Sequence, residues 1–214
     1  MVSKIMNNNV DVFHCEQRTS EWFKLKCGTP SASNFQAIIK KLKNGNYSSE
    51  RRKYLYKIVA ERISDECVSS YFSVDMERGV ELEKEAKSLY ELTMDVSVDV
   101  EVGFMMVDRW GYSPDGLIGD DGLIEIKCPR LENHLETLDL GEMPDCYQAQ
   151  VQGGLLISGR VWCDFISYAQ KMPIFIKRIY RDEEYINDLK KELELFCDDA
   201  NELYNRIIKR YQAN

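Results

Sequence analysis

Histidine is nearly missing from this chain: His14 and His134 are the only two in 214 residues. A zinc site built on imidazoles, or a Ser-His-Asp triad, would need one of them, and nothing beside either supports it. The seven cysteines stand at 15, 27, 67, 128, 146, 163 and 197, with no Cys-x-x-Cys. That spacing suggests neither a zinc ribbon nor an iron–sulfur cluster, and most of the thiols read as small buried hydrophobes. Long apolar runs are lacking as well. Stretches such as 103–107 and 155–157 fall far short of a bilayer span. The polar, Asn-rich start, Met1 to Val10, has no signal-peptide core, so the expected setting is cytoplasmic, with no membrane partner. No Pro/Gly/Ser-rich linker and no repeat divides the chain. A single α/β domain over 1–214 is expected, with 44% hydrophobic residues to fill one core.

Positive charge is also in deficit, with 28 Lys and Arg against 36 Asp and Glu, a formal net charge of −8. Taken alone, this argues mildly against nucleic acid as partner. The distribution softens the objection. Residues 38–57 hold Lys40, Lys41, Lys43, Arg51, Arg52, Lys53 and Lys57 with one acid, Glu50, while much of the acid lies in 182–202. A solvated helix face and a nucleic-acid contact explain that basic stretch equally well.

What is present divides by period. Ser20-Glu21-Trp22 opens a short helix that stops near Gly28, and Trp22 reads as core. Ser31 or Ser33 caps a second helix with Phe35, Ile38, Ile39 and Leu42 inward. Helices over 49–66 and 74–93 follow, giving an N-terminal helical section over 18–93. From Val96 to Val102 apolar and polar residues alternate strictly, which predicts a half-buried strand. Further strands are predicted at Phe104–Val107, Tyr112–Ile118 and Leu123–Cys128, with a hairpin turn at Gly119-Asp120-Asp121-Gly122. A helix from Tyr147 to Ile157 and strands at Val161–Tyr168 and Ile174–Tyr180 complete a sheet section over 94–180. A long amphipathic helix over 183–212 turns Ile186, Leu189, Leu193, Phe196, Ala200, Leu203, Ile207 and Ile208 inward. The order implies a central mixed β-sheet flanked by helices.

The chemistry concentrates in one hairpin. Ser113-Pro114-Asp115-Gly116-Leu117 leads to the turn, and Leu123-Ile124-Glu125-Ile126-Lys127-Cys128-Pro129 leaves it. Alternation points Glu125 and Lys127 to one face, and the hairpin can bring Asp115 beside Glu125. Two carboxylates with a nearby ammonium suit a hard divalent cation such as Mg²⁺, which keeps waters for a substrate phosphate. A cation so held lowers the pKa of bound water and stabilises charge on a phosphodiester oxygen. Glu-x-Lys alone is common on exposed strands. Pro-Asp followed about ten residues later by apolar-Glu-apolar-Lys, between turn signals, is more specific and tips the balance towards a site.

This pattern resembles the PD-(D/E)xK nuclease motif, and its surroundings resemble the lambda-type phage exonuclease (YqaJ-like viral recombinase) family. The stretches that carry the likeness are Arg18 to Gly28, Ser31-Ala32-Ser33, Arg78 to Glu83, Ser113 to Leu117, Leu123 to Pro129 and Tyr147 to Gln152. They run in the family's order over about 16–168. The resemblance implies a restriction-endonuclease-like core and a 5′-to-3′ exonuclease that digests one strand of linear double-stranded DNA from its end. It implies 3′ overhangs left for a single-strand-annealing protein, and a homotrimeric ring that threads the DNA. It implies Asp115, Glu125, the carbonyl of Ile126 and Glu83 as ligands of two Mg²⁺ ions, with Mn²⁺ as a substitute, and Lys127 as the catalytic lysine. Gln150 matches the glutamine that positions the attacking water, with Gln148 and Gln152 as alternative registers. Lys26, Ser33 and Ser113 match a pocket for the 5′-phosphate. Lys26 stands where the family typically has Arg, which keeps the charge and loses the bidentate fork. Asp108 is a looser match to another acid near the family's site, with a shorter loop to Asp115. An endonuclease or DNA-repair nuclease on the same core is the competing reading. A non-catalytic DNA-binding protein on that fold is another, against which the intact Asp115, Glu125 and Lys127 argue.

Overall fold

The computed structural model describes residues 2–4, 10–67 and 74–211. The Asn-rich stretch 5–9 and residue 212, expected in the last helix, lie outside the described residues. Two strands come first, β1 (Val2–Lys4) and β2 (Val10–Phe13). The helices α1 (Ser20–Lys26), α2 (Phe35–Ile39, entered through a 3₁₀ turn at Ala32–Asn34), α3 (Ser49–Ser64) and α4 (Val74–Met94) follow. Then come β3 (Phe104–Val107), β4 (Trp110–Tyr112), β5 (Gly116–Ile118) and β6 (Gly122–Lys127). The chain closes with α5 (Leu131–Leu140), α6 (Gln148–Ser158), β7 (Trp162–Ser167), β8 (Phe175–Tyr180) and α7 (Glu183–Tyr211).

The expected central sheet is divided in two. β1-β2-β3-β4 is wholly antiparallel, and β5-β6-β7-β8 is mixed, with β6 and β7 parallel. The division falls inside Tyr112–Ile118, which the sequence pattern presents as one strand. Ser113 to Asp115 pair with nothing in either ladder, and Pro114 between them has no N–H to give one. The segment Val96–Val102 also departs from its alternation. It makes a single bridge, Asp99 to Leu117, and Val100 is 54% exposed while Val98 and Val102 are buried. One bridge leaves most of its backbone outside any ladder, so the period-2 pattern does not set every side chain's direction.

Two cores sandwich the mixed sheet. Leu123, Cys163 and Phe165 join Phe35, Ile58, Leu155, Leu193 and Phe196 in the larger one. Ile124, Ile126 and Ile166 pack against Leu82, Ala86 and Tyr90 of α4 in the smaller. Across the smaller core Asp164, almost fully buried, accepts from Tyr90 Oη at 2.6 Å and from two Arg178 nitrogens at 2.8 Å each. α7 buries Ile186, Leu189, Leu193, Phe196, Ala200 and Leu203 as its period predicts. Leu42 does not join the core: α2 ends at Ile39, Lys40 turns extended, and Leu42 is left 51% exposed.

Three elements are not expected from the sequence pattern. β1 lies in the start that reads as polar, and β2 follows from Val10, with Val10 and Val12 buried on either side of Asp11. α5 is inverted: Leu131, Leu135 and Leu140 are exposed, while His134 and Thr137 are buried. His134 is held there by Ser167 Oγ at 2.8 Å and the Pro173 carbonyl at 3.0 Å. An apolar period therefore points the wrong way on this helix. The basic stretch 38–57 is substantially neutralised within the fold. Lys41 pairs with Glu192, Arg51 with Asp199 and Lys40 with Glu50, so two of its cations stitch this stretch to the acidic α7.

Candidate active site

The hairpin β5–β6 sets the geometry. Its register pairs Gly116 with Ile124 and Ile118 with Gly122, so the residue before β5, Asp115, comes opposite Glu125. Arg160 holds the turn from outside, donating from Nη1 to the carbonyls of Gly122 at 2.7 Å, Gly119 at 2.8 Å and Ile118 at 3.3 Å. Asp115 Oδ2 accepts the Ile126 N–H at 2.7 Å, which locks the carboxylate over β6.

Glu125 is buried and crowded with donors. Its Oε1 accepts from Lys127 Nζ at 2.7 Å and from Gln150 Nε2, and Tyr112 Oη reaches its Oε2 at 3.4 Å. Gln150 stands within reach because Gly153 and Gly154 let α6 lie close. A Cβ at Gly153 would come within 2.5 Å of the Phe35 ring, and one at Gly154 within 2.8 Å of the Tyr112 ring. Gln152, one of the alternative registers, is engaged elsewhere: it donates to the Tyr180 carbonyl at 2.9 Å and accepts the Asp182 N–H at 3.0 Å.

Asp115 opens on a cavity of about 420 Å³ lined also by Gln17, Arg18, Glu83, Lys87 and Ile126. Glu83 reaches it from α4, where Arg18 Nη2 pairs with its Oε2 at 2.6 Å. Gln17 donates to the Pro114 carbonyl at 2.7 Å and ties this segment to the break before β5. Glu125 forms no part of the cavity wall and lies beneath it. Lys127 lines a second cavity of about 180 Å³ with Asn133, Cys146 and Tyr147, its ammonium 5.3 Å from the centre of the Tyr147 ring.

The charges are under strain. Burial and then the charge of Glu125 push the Asp115 carboxyl well above the ordinary range, against Lys127 and the Ile126 N–H. Burial pulls the Lys127 ammonium down, but Glu125 and Asp115 outweigh it and hold its pKa above the usual lysine value. Three carboxylates (Asp115, Glu125, Glu83) thus gather beside Lys127 and Arg18, with Glu16, Lys84 and Lys87 farther along the same cavity wall. The donor set is all oxygen, and Asp115, Glu83 and Ile126 line one cavity. Such a set fits a hard divalent cation, which would relieve the like charges.

Residues expected at the 5′-phosphate form a second group. Lys26 and Ser33 line a cavity of about 400 Å³ with Trp22, Ser31 and Tyr54. Ser113 joins them through Trp22, whose indole N–H lies 3.0 Å from Ser113 Oγ and 3.1 Å from the Gly103 carbonyl. Trp22 is therefore a half-buried cavity wall rather than core, with its indole N–H held by these two partners. Lys26 Nζ sits 4.0 Å over the centre of its ring. Burial, with Lys57 and Arg18 adding to it, lowers Lys26 to about 8 against Cys67 and Glu61. Asp108 is exposed in the β3–β4 turn, at the other end of β4 from Ser113, and lines none of these cavities.

Arg18, Gln17, Tyr112 and Tyr147 also stand at these cavities or on Glu125, and the sequence pattern assigns them no role. Gln17-Arg18 stands directly before the Thr19 cap of α1, and Tyr112 directly before Ser-Pro-Asp, so adjacency to the motif was the available signal.

The sequence model of the YqaJ-like viral recombinase domain matches residues 21–161. The chain belongs to the YqaJ-like viral recombinase family. Among solved structures, LHK-Exo, an alkaline exonuclease from Laribacter hongkongensis, superposes with a TM-score of 0.79 at 31% identity, over 91% of this chain and 98% of that one. The same protein in complex with dAMP gives a TM-score of 0.81 at 30% identity, over 91% and 99%. A phage-related exonuclease from Haemophilus somnus 129PT shares the fold at 15% identity, with a TM-score of 0.64 over 84% of this chain and 96% of that one. No curated protein matches. The fold is thus the mixed α/β core of the family's PD-(D/E)xK nucleases. Among the described residues no helix is long and apolar enough to cross a membrane.

Proposed function

We propose that this chain is a Mg²⁺-dependent exonuclease that digests the 5′-ended strand of linear duplex DNA and leaves a 3′ overhang. The observation that carries the reading is the convergence of Asp115, Glu125 and Lys127 on one hairpin, with Gln150 on Glu125, in a family whose solved relatives are exonucleases. Asp115, Glu83, the Ile126 carbonyl and Glu125 would hold the cation, or a pair of them, with Mn²⁺ able to substitute. When bound, it supplies a polarised phosphate and a more acidic water.

The chain's own groups have separable tasks. Lys127, kept protonated by Glu125 and Asp115, compensates charge on the phosphate and orients the attacking oxygen. Gln150 and Tyr112 hold the Glu125 carboxylate. Gln150 also presents an amide toward the water. Lys26, Ser33 and Ser113, gathered on Trp22, receive the terminal 5′-phosphate and so set the strand that enters the site. A ring of three chains would line its channel with cations while the outside carries the acidic excess behind each chain's net charge of −8. A single-strand-annealing protein would take the product.

Linear duplex and covalently closed circular duplex with Mg²⁺ test this reading. Release of nucleotides from linear DNA only is expected. Cutting of closed circles would favour an endonuclease, and no cleavage of either would favour a non-catalytic DNA-binding protein. Light scattering at micromolar concentration should give the trimer's mass, and a monomer there would contradict the ring.

A further inference from the structure

A second group of metal-ligating side chains lies away from the carboxylates of the hairpin. Cys27 at the end of α1, Glu61 on α3 and Cys67 just beyond α3 bring their ligand atoms within 4.8 Å of one another. Glu61 is almost fully buried and oriented from two sides, with Gly28 N–H on Oε2 at 3.0 Å and Lys57 Nζ 3.8 Å from Oε1. Both thiols are turned inward: Cys67 Sγ donates to the Phe23 carbonyl at 3.0 Å and Cys27 Sγ to the Glu61 carbonyl at 3.7 Å. Glu61 and Cys67 also form part of the wall of the cavity that holds Lys26 and Ser33.

We propose that Cys27, Glu61 and Cys67 form a binding site for a thiophilic divalent cation of the Zn²⁺ class. Two sulfurs and a carboxylate are a ligand set that zinc accepts, and three protein ligands leave a fourth position open toward the cavity for water or an oxyanion. Soft thiolates discriminate against Mg²⁺, which prefers the all-oxygen set at Asp115. Binding leaves the net charge of the site unchanged beside the two neighbouring lysines. Binding releases one proton from each thiol, so two neutral thiols and one carboxylate become two thiolates, one carboxylate and a dication. The site carries a net −1 before and after, and Lys57 and Lys26 meet no added charge. An ion there ties the end of α1 to α3 beside Lys26. This inference is independent of the nuclease reading, because the site shares no ligand with the hairpin.

Titration of the reduced, metal-free full-length chain with Co²⁺ tests it. One equivalent should produce a thiolate-to-cobalt charge-transfer band in the near ultraviolet. Equimolar Zn²⁺ should abolish that band and Mg²⁺ should leave it. Asp115→Asn should show the full band, and Cys146→Ser, at an exposed thiol, should too. Cys27→Ser and Cys67→Ser should each lose it, and Glu61→Gln should weaken Co²⁺ binding by about tenfold or more. A folded wild-type chain with no band would overturn the site. So would a band that survives in the Cys27→Ser/Cys67→Ser double variant.

Discussion

Replacing Asp115 by Asn should make the metal-free protein more stable and the metal-loaded protein less so. An acid whose folded-state pKa lies above its unfolded value binds more protons when folded. It therefore lowers stability as pH rises through that interval. Asp115 is shifted upward by burial and by Glu125, so its ionised form costs the metal-free protein stability at neutral pH. Asn removes that charge and keeps an oxygen for the Ile126 N–H. In EDTA at neutral pH the variant should melt above wild type, and the gap should close on acidification as Asp115 takes up its proton. With Mg²⁺ the order should invert. Ligand at about 100 times its Kd adds about 2.7 kcal/mol to the folded state. For a chain of this size, at about 2–4 °C per kcal/mol, that is a rise of about 5–11 °C in wild type. The variant, without the carboxylate that joins Glu83 and Ile126 at the cavity wall, should gain little. Scanning calorimetry in EDTA and in Mg²⁺ or Mn²⁺ reads both effects. The electrostatic argument fails if Asp115→Asn melts below wild type in EDTA, or if metal raises both proteins equally.

Other outcomes follow from the same geometry. Lys127→Ala should lower kcat by about 10²- to 10⁴-fold, because its ammonium serves the reacting phosphate, and should also lower Tm, because the buried Glu125 carboxylate loses its ion-pair partner; near-wild-type turnover by the folded variant would remove it from the site. Lys26 loses its charge as pH rises through about 8, so the preference for 5′-phosphorylated over 5′-hydroxyl ends should fall across that pH. Lys26→Arg, protonated throughout, should hold the preference flat in the same end-labelled assays. Arg160→Ala removes three bonds to the hairpin turn and should cost about 1.5–3 kcal/mol, or about 3–12 °C in Tm by thermal melting. A neutral result there would show that the turn holds its own register.

Local features were the legible ones. Asp115, Glu125 and Lys127 lie on one hairpin whose turn residues set the pairing, so thirteen or so residues suffice to bring them together. α7 was equally plain, since its apolar stripe faces one core along most of its length. Legibility fails where the deciding partner is distant in sequence. α5 turns His134 inward because Ser167 and Pro173 satisfy its ring, which no periodicity reports. The cations of 38–57 read as a surface tract until α7 supplies Glu192 and Asp199. Trp22 reads as core until Ser113 and Gly103 are seen to accept its N–H. Cys27 and Cys67 are forty residues apart, and only the packing of α1 on the end of α3 makes them neighbours. In one place the sequence held the signal and the pattern masked it: Pro114 interrupts Tyr112–Ile118 and divides the sheet at the site itself.

The claim on which the account turns is that the hairpin carboxylates and Lys127 hydrolyse DNA with a divalent cation. Digestion of 5′-end-labelled linear duplex by wild type and by Glu125→Gln, each with Mg²⁺ and with EDTA, puts it to the test. The account predicts that label is released only by wild type with Mg²⁺. Release in EDTA, or undiminished release by the folded Glu125→Gln protein, would contradict it.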